Sequence, residues 1–360
     1  MKYSQLPNFE HSQGARIGIL VTNLGTPTEP TAKGVRPFLR EFLSDPRVVE
    51  IPRVVWWFIL NGIILLLRPG RSARAYKSIW TDAGSPLKIH TEAQADALRQ
   101  KLQAEFGEQI LVDCAFRYGA PSIGQVIQSL MERGARKIVV LPMYPQYAAS
   151  TTGSTFDAIA KDLSSRRWVP DLRFISHYHD NPAYIAALAD SVRQFREVHG
   201  GSEKLVFSFH GTPRKSLDDG DPYFCECQKT ARLLAAALNL GEGDYLTTFQ
   251  SRFGAAEWLQ PYTDKTLQEL AAAGTKSVQV LCPGFSSDCL ETLEEVAIEN
   301  RDIFIEAGGE HYQYIPALNA EPAHIDMMAT LVKNNVQGWL QEPEDALACQ
   351  ARARALGADK

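Results

Sequence analysis

The residues best suited to chemistry are a histidine and a glutamate that each follow a continuous apolar run. His210 ends the run in FSFHGTP (207–213), and Glu291 follows the run in VLCPGFSSDCLETLEE (280–295). In a parallel α/β protein the carboxyl ends of the strands border one crevice, where both side chains can face the same ligand. An imidazole and a carboxylate in one crevice indicate proton transfer or metal binding. For each residue taken alone, a structural role is the competing interpretation.

Glutamates continue along the predicted helix that begins near Glu291. Glu291, Glu295 and Glu299 lie at i, i+4 and i+8 and therefore share one helix face. A solvated face tolerates such like charges, whereas a row leading away from a crevice would conduct hard divalent cations. An imidazole with carboxylates does not specify a tight metal cage, and weak ligation suits a site that hands its metal onward.

The run VVWWFILNGIILLL (54–67) is strongly apolar and is followed by the basic residues Arg68, Arg71, Arg74 and Lys77. It is shorter than the roughly 20 apolar residues that a membrane-spanning helix needs. It is either a buried core helix or an apolar lip that grips a flat ligand or rests on a membrane surface. The basic residues form a solvated helix face, or they bind the carboxylates of an amphipathic anion such as a tetrapyrrole.

Eight apolar runs alternate with helical patterns, as is typical of doubly wound parallel sheets. They form two sets of four whose ends match in kind: NLGTP with FHGTP, FRYG with SRFG, and VLPMYP with VLCPGF. Leu141 and Ile175 are 34 residues apart, as are Leu281 and Ile315. The predicted fold is therefore α/β, with two similar Rossmann-like domains, each a four-stranded parallel sheet flanked by helices.

The domain organisation follows from this duplication. The N-terminal domain is predicted to comprise 1–180 and a C-terminal helix at 322–340, and the second domain, with His210 and Glu291, to comprise 181–321. The first half contains about 51 extra residues, which predicts an insertion at 43–88 on the ligand-binding edge. The Ala-rich end, 341–360, is predicted to be a flexible tail.

Composition excludes several classes of protein. The chain has 360 residues, 45% hydrophobic and 22% charged, as in globular proteins, and its net charge of -5 gives no basic footprint for nucleic acid. The N-terminus lacks a secretory pattern, which predicts a cytoplasmic protein. The six cysteines have neither zinc-site nor disulfide-framework spacing.

Four long segments resemble the ferrochelatase family: LPMYPQYAASTTGST (141–155), FSFHGTP (207–213), FQSRFGAAEWLQPYT (249–263) and CPGFSSDCLETLEEVAIE (282–299). The likeness extends from about residue 20 to about residue 335. Ferrochelatases insert ferrous iron into protoporphyrin IX to make haem. The resemblance implies the chelatase fold, with protoporphyrin IX and Fe²⁺ as substrates and no tightly bound cofactor.

The resemblance also implies roles for individual residues. His210 and Glu291 would lie on opposite sides of the porphyrin plane, one taking pyrrole protons and the other binding iron. Glu295 and Glu299 would line the entry path of the metal or the exit path of the protons. The residues implied in porphyrin binding are Leu24, Arg68, Arg71, Tyr76, Ser85, Arg117, Tyr118, Trp258 and Phe285.

Some members of the family carry a [2Fe-2S] cluster, with one ligand at the position of Ala149 and three in the C-terminal tail. Here only Cys349 lies in that tail, so a cluster is not expected. A chelatase for coproporphyrin or another tetrapyrrole, and a non-catalytic tetrapyrrole carrier, remain alternatives. The expected location is the cytoplasm, with peripheral contact at the inner face of the cytoplasmic membrane through 54–67.

Overall fold

The computed structural model describes residues 3–6, 10–254, 256–340 and 345–358. It contains two four-stranded parallel sheets with strand orders β2-β1-β3-β4 and β6-β5-β7-β8. The strands are β1 (Arg16–Gly25), β2 (Ile110–Tyr118), β3 (Ala135–Pro142), β4 (Asp171–Phe174), β5 (Lys204–His210), β6 (Tyr245–Gln250), β7 (Ser277–Leu281) and β8 (His311–Ile315). Corresponding strands occupy the same place in both sheets, which confirms the predicted α/β fold of two similar parallel units.

Helices connect successive strands and cover the sheets. They are α1 (Ala32–Leu43), α2 (Arg53–Ile59), α3 (Leu65–Ile79), α4 (Pro86–Phe106), α5 (Ile123–Glu132), α6 (Ser154–Ser164), α7 (Pro182–His199), α8 (Arg214–Asp218), α9 (Tyr223–Ala237), α10 (Thr263–Ala272), α11 (Asn300–Glu306), α12 (Pro322–Val336) and α13 (Ala346–Ala355). Wider π-helical segments occur at Leu60–Ile64, Ala149–Gly153 and Glu291–Glu299, and a 3-10 turn occurs at Gly107–Gln109.

The central strands are buried on both faces. Ile19, Leu20 and Val21 of β1 are fully buried, although neighbouring side chains of a strand point to opposite faces. Ile19 and Val21 belong to one hydrophobic cluster and Leu20 to another. Such continuous apolar runs are typical of parallel strands that helices cover on both sides.

The two halves differ most in the connection between their first two strands. In the second half α8 and α9 lead from β5 to β6, whereas α1 to α4 lead from β1 to β2. The predicted insertion at 43–88 covers the end of α1, all of α2 and α3, and the start of α4. Within it, α3 packs against α1 and against the π-helical segment Glu291–Glu299 of the other half.

The apolar run at 54–67 is part of a longer helical segment, Arg53–Ile79, of 27 residues. The helix continues through Pro69 and Gly70, which disfavour helix, into a stretch of Arg, Ala and Lys residues that favour it. By length and composition alone, this is the one segment of the described chain that could cross a membrane. Of its most apolar stretch of 18 residues, 22% is buried in the protein. Trp56, Leu60 and Leu65 are buried in a cluster with α1, so one side of the segment packs on the protein.

Helix α12 follows the second sheet but returns to the first half, where it packs against α4 and β3. It also packs against α7, the helix that joins the two halves. Within the predicted flexible tail, 341–360, the structure contains helix α13. Asp345 caps this helix by accepting hydrogen bonds from the N–H groups of Leu347 and Ala348, and its alanines favour helix.

Candidate active site

A cavity of about 1280 Å³ lies where the carboxyl ends of both sheets meet the insertion. Leu24 from β1, Met143 after β3, His210 from β5 and Ser251 after β6 all line it. This is the edge at which open parallel sheets bind ligands. The cavity exceeds the roughly 300–1,000 Å³ of common small-molecule pockets, so it admits a large ligand.

His210 is the last residue of β5 and lies opposite Gln250 of β6. Its Nδ1 is 2.6 Å from the carbonyl oxygen of Gly211. Because a carbonyl only accepts hydrogen bonds, Nδ1 carries the proton of the neutral ring and Nε2 keeps its lone pair. His210 can therefore accept a proton or bind a cation through Nε2.

Gly211 keeps the backbone close behind this imidazole. Its N–H donates to the carbonyl oxygen of Gln250 at 2.7 Å. A Cβ at this position would lie 2.8 Å from that oxygen and 3.1 Å from Cε3 of Trp258. A side chain here would displace the strand end, so the glycine of FHGTP is needed to position His210.

Glu291 begins the π-helical segment Glu291–Glu299 and lines the cavity. The side-chain amide of Gln250 donates to the Glu291 carbonyl oxygen at 3.1 Å. Since Gln250 also lies opposite His210 in the sheet, one residue connects both catalytic candidates. Burial raises the pKa of Tyr76 well above its usual value, and the nearby carboxylate of Glu291 raises it further.

Carboxylates extend from Glu291 along this wall of the cavity. The acidic residues that line the cavity are Glu291, Glu294, Glu295, Glu299, Asp302 and Glu306. Burial raises the pKa of Glu294, and the charge of Glu299 adds to the rise. The row leads from the half-buried Glu291 to the exposed Glu299, so its oxygen ligands can attract cations toward the interior.

Ser251, directly after β6, holds Glu295 in this row. Its N–H donates to Oε1 of Glu295 at 2.7 Å, and its hydroxyl donates to Oε2. Ser251 has φ 65°, a left-handed conformation that is uncommon outside glycine. Burial raises the pKa of Glu295 to about 7, although the hydrogen bonds from Ser251 favour the carboxylate. This carboxyl can exchange a proton at neutral pH.

Two arginines of α3, Arg68 and Arg71, face the cavity. The Arg68 guanidinium lies 5.5 Å from the ring centre of Phe253. Burial lowers the pKa of Arg68, and the charge of Arg71 lowers it further. Paired guanidinium groups at a cavity rim are suited to carboxylates of a ligand.

Apolar side chains of the insertion form the wall next to these arginines. Ile63, Ile64 and Leu67 line the cavity, and Leu67 is 75% exposed. An exposed apolar surface beside cationic groups suits a ligand with a large apolar body and an acidic edge. The apolar-lip interpretation therefore describes this segment better than a buried core helix.

The structure brings many of the sequence-predicted site residues together. Those that line the cavity are Leu24, Arg68, Arg71, His210, Phe285, Glu291, Glu295 and Glu299. Those that lie outside its lining are Tyr76, Ser85, Arg117, Tyr118 and Trp258.

Arg117 and Tyr118, at the end of β2, bind Asp45 of the insertion. Nη2 of Arg117 lies 2.5 Å from Oδ2 of Asp45, and the Tyr118 hydroxyl donates to the same oxygen at 2.9 Å. Burial opposes the charge of Asp45, but hydrogen bonds from the Ser154 hydroxyl and the Arg47 N–H lower its pKa overall. Both residues thus fasten the insertion to the first sheet behind the cavity wall.

The other predicted residues outside the lining are buried close to it. The Thr26 hydroxyl donates to Oγ of Ser85 at 2.7 Å, and Tyr76 packs in the cluster of α1 and α3. Trp258 is 5% exposed, with its ring centre 6.5 Å from that of His210. These side chains support the residues that face the cavity.

Several polar lining residues were missed in the sequence. They include Tyr144, Gln146, Ser150, Thr151, Ser251, Arg252 and Glu294. Most follow β3 or β6, so the strand-end argument used for His210 would have found them if it had been applied to every strand. Glu294 lies three residues after Glu291, so it also belongs to that side of a helix, and it was missed because only the i, i+4 and i+8 positions were considered.

Comparison with known proteins gives the family. The ferrochelatase family model matches residues 16–336. A ferrochelatase of Idiomarina loihiensis is 59% identical over 342 residues, covering 95% of this chain and 94% of that protein. A ferrochelatase of Pseudoalteromonas atlantica is 53% identical over 360 residues, covering all of both chains. The solved structure of SirB from Bacillus subtilis with Fe³⁺ shares the fold, with a TM-score of 0.55 at 12% identity over 89% of this chain and 96% of that one. This chain belongs to the ferrochelatase family of metal chelatases.

Proposed function

We propose that this protein inserts Fe²⁺ into protoporphyrin IX, forms protohaem and releases two protons. The proposal rests on one observation: the same cavity is lined by an imidazole, by a row of carboxylates and by an apolar wall that carries two arginines. Iron and porphyrin are both substrates. Because the reaction changes no oxidation state, it requires no redox cofactor. We therefore propose neither a redox cofactor nor a [2Fe-2S] cluster.

His210 is the proposed acceptor of a pyrrole proton. Its Nδ1–H donates to Gly211, which leaves the Nε2 lone pair for a ligand in the cavity. Each pyrrole N–H must lose its proton when its nitrogen binds iron, so a base beside the ring lowers the barrier. The imidazole is the side chain that changes charge most readily near neutral pH.

Glu291 is the proposed residue that receives the iron, and Glu295 and Glu299 lead toward it. Hard oxygen ligands bind Fe²⁺ weakly enough for it to be passed to the ring nitrogens. Glu295, with its pKa of about 7, can also carry released protons away. Both tasks require the row to be continuous from the cavity to the exposed Glu299.

Arg68 and Arg71 are the proposed partners of the porphyrin propionates. The apolar lip of Ile63, Ile64 and Leu67 would cover the apolar part of the macrocycle. Coproporphyrin carries additional propionates where protoporphyrin IX has vinyl groups. An apolar wall on this side therefore favours protoporphyrin IX.

Anaerobic incubation of the pure protein with Fe²⁺ and either porphyrin tests this proposal. Protohaem formation at least tenfold faster than coprohaem formation is expected, followed by absorbance. Faster reaction of coproporphyrin would reassign the substrate. Tight haem retention without any metal insertion would make the protein a carrier instead.

The exposed side of the segment Arg53–Ile79 is proposed to rest on the inner face of the cytoplasmic membrane. Val54, Trp57, Phe58 and Leu66 are each more than half exposed on this segment, which carries the cavity lip. Apolar and aromatic side chains beside basic residues favour the surface of an anionic bilayer. Contact there would let an apolar porphyrin reach the cavity from the lipid.

A further inference from the structure

Two histidines and a glutamate converge outside the active-site cavity. Nδ1 of His177 lies 2.7 Å from Oε1 of Glu226, and Nδ1 of His179 lies 3.2 Å from Oε2 of the same carboxylate. The donor atoms of all three residues lie within 4.8 Å of one another. In the described part of the chain, this is the one group of three or more His, Cys, Asp or Glu residues close enough to share a metal ion.

The state of His179 indicates a ligand rather than a hydrogen-bonded pair. His179 is 6% exposed, and its buried Nδ1 is close to Oε2 of Glu226 but poorly aligned for a hydrogen bond with it. A buried imidazole nitrogen left unpaired costs free energy. That nitrogen faces Glu226, where a cation between the two would satisfy it.

The donor set defines the class of cation. Two imidazole nitrogens and one carboxylate oxygen suit Zn²⁺ and related first-row divalent ions, whereas Ca²⁺ and Mg²⁺ prefer oxygen ligands alone. The side chain of His177 is 49% exposed, which provides an entry path and room for a water ligand. The neighbouring Lys229 is bound to Asp180 at 2.5 Å, so its charge is compensated.

The three residues come from opposite halves of the molecule. His177 and His179 lie between β4 and α7 of the first half, and Glu226 lies on α9 of the second. Glu226 also accepts a hydrogen bond from the N–H of Tyr147 at 2.7 Å. The preceding residue, Gln146, lines the cavity and donates to Thr230 of α9 at 2.9 Å.

We propose that His177, His179 and Glu226 form a second metal site, for Zn²⁺ or a similar transition-metal ion, that joins the two halves behind the active-site cavity. In the present structure the Glu226 carboxylate contacts both imidazoles directly. When the ion binds, three coordinate bonds to the ion replace these contacts. The ion thereby fixes the 145–149 turn, which forms part of the cavity wall, to α9. This site is separate from the cavity in which Glu291 is proposed to receive the substrate iron.

The test measures Zn²⁺ affinity of the metal-free full chain by competition with a chromophoric chelator. All proteins carry His210→Ala, which removes from the cavity an imidazole that can also bind Zn²⁺. Adding His177→Ala should weaken Zn²⁺ binding at least about tenfold. Loss of a residue that only hydrogen-bonds a metal ligand already lowers metal affinity by about that factor. Adding His199→Ala, which removes an exposed histidine of α7, should leave the affinity unchanged.

Two further measurements make the result decisive. Zn²⁺ should raise the melting temperature of the His199→Ala protein but not that of the His177→Ala protein, because an ion that binds only the folded state stabilises it. Glu226→Gln, which keeps a hydrogen-bond acceptor, should match His177→Ala and serves if that variant folds poorly. Equal Zn²⁺ affinity in the His177→Ala and His199→Ala proteins, or no Zn²⁺ binding in their shared background, would overturn the proposal.

Discussion

At the residue scale, the chemistry of the site depends on how backbone groups hold two side chains. The strand-end position of His210 could be predicted, because the apolar run stops there. The hydrogen bond from its Nδ1 to Gly211 could not, because it depends on the turn geometry that Gln250 and Trp258 enforce. The turn therefore determines which nitrogen is available as a base.

Arg71 provides a direct test of substrate binding. Arg71→Ala should raise the apparent KM for protoporphyrin about tenfold or more while kcat changes little, because a propionate contact is equally strong in the ground and transition states. Arg74→Ala, on an exposed position of the same helix outside the cavity lining, is the matched control. An unchanged KM in Arg71→Ala would remove its assigned role.

Glu295 should make stability depend on pH. Its pKa is about 7 in the folded protein against 4.5 for the unperturbed group, so folding favours the protonated form. The cost of ionising it is absent below pH 4.5 and complete above pH 7. Glu295→Gln should therefore raise the free energy of unfolding at pH 8 by up to about 3 kcal/mol, and by much less at pH 5.

Urea denaturation at the two pH values measures this difference. Glu310→Gln, which changes an exposed carboxylate in an ion pair with Lys276, is the control and should show no such gain. An equal effect of Glu295→Gln at pH 5 and pH 8 would show that the surroundings do not raise the pKa of Glu295.

At the element scale, the helix that carries Glu291 differs from its prediction. Glu291, Glu295 and Glu299 were placed on one face by α-helical spacing, and all three do line the cavity. The segment is π-helical rather than α-helical. Sequence periodicity could predict a helix with an acidic face, but the wider turn depends on tertiary contacts such as the bond from Gln250 to the Glu291 carbonyl.

The helical segment Arg53–Ile79 was predicted in kind but not in length. Its apolar run was visible in the sequence, whereas its fit depends on packing: Trp56 donates to the Leu43 carbonyl oxygen at 2.6 Å, while Trp57 and Phe58 remain exposed. One side of the segment therefore belongs to the core and the other is exposed.

Vesicle binding tests that surface. The protein should sediment with vesicles that contain anionic phospholipid, and Trp57→Ser with Phe58→Ser should at least halve the bound fraction, because aromatic side chains anchor proteins at bilayer interfaces. Val169→Ser with Val198→Ser, two exposed apolar positions elsewhere, should have no effect. If the wild type stays in the supernatant, or both double variants bind equally, the segment does not contact the bilayer.

At the scale of the whole molecule, duplication explains why distant residues meet. Matching strand ends predicted two copies of one unit, and the two observed sheets do have the same strand order. Duplication alone does not say how the units face each other. That arrangement depends on contacts between halves, such as those of α3 with the helix of Glu291 and of Tyr147 with Glu226, which no local pattern reveals.

The central claim is that His210 takes part in metal insertion within this cavity. The most direct measurement is zinc-porphyrin formation, followed by fluorescence, for the wild type and His210→Ala at equal porphyrin occupancy. A loss of activity of at least about 100-fold is predicted, the usual contribution of a general base, with porphyrin affinity nearly unchanged. Zinc insertion by His210→Ala at a rate close to that of the wild type would contradict the account.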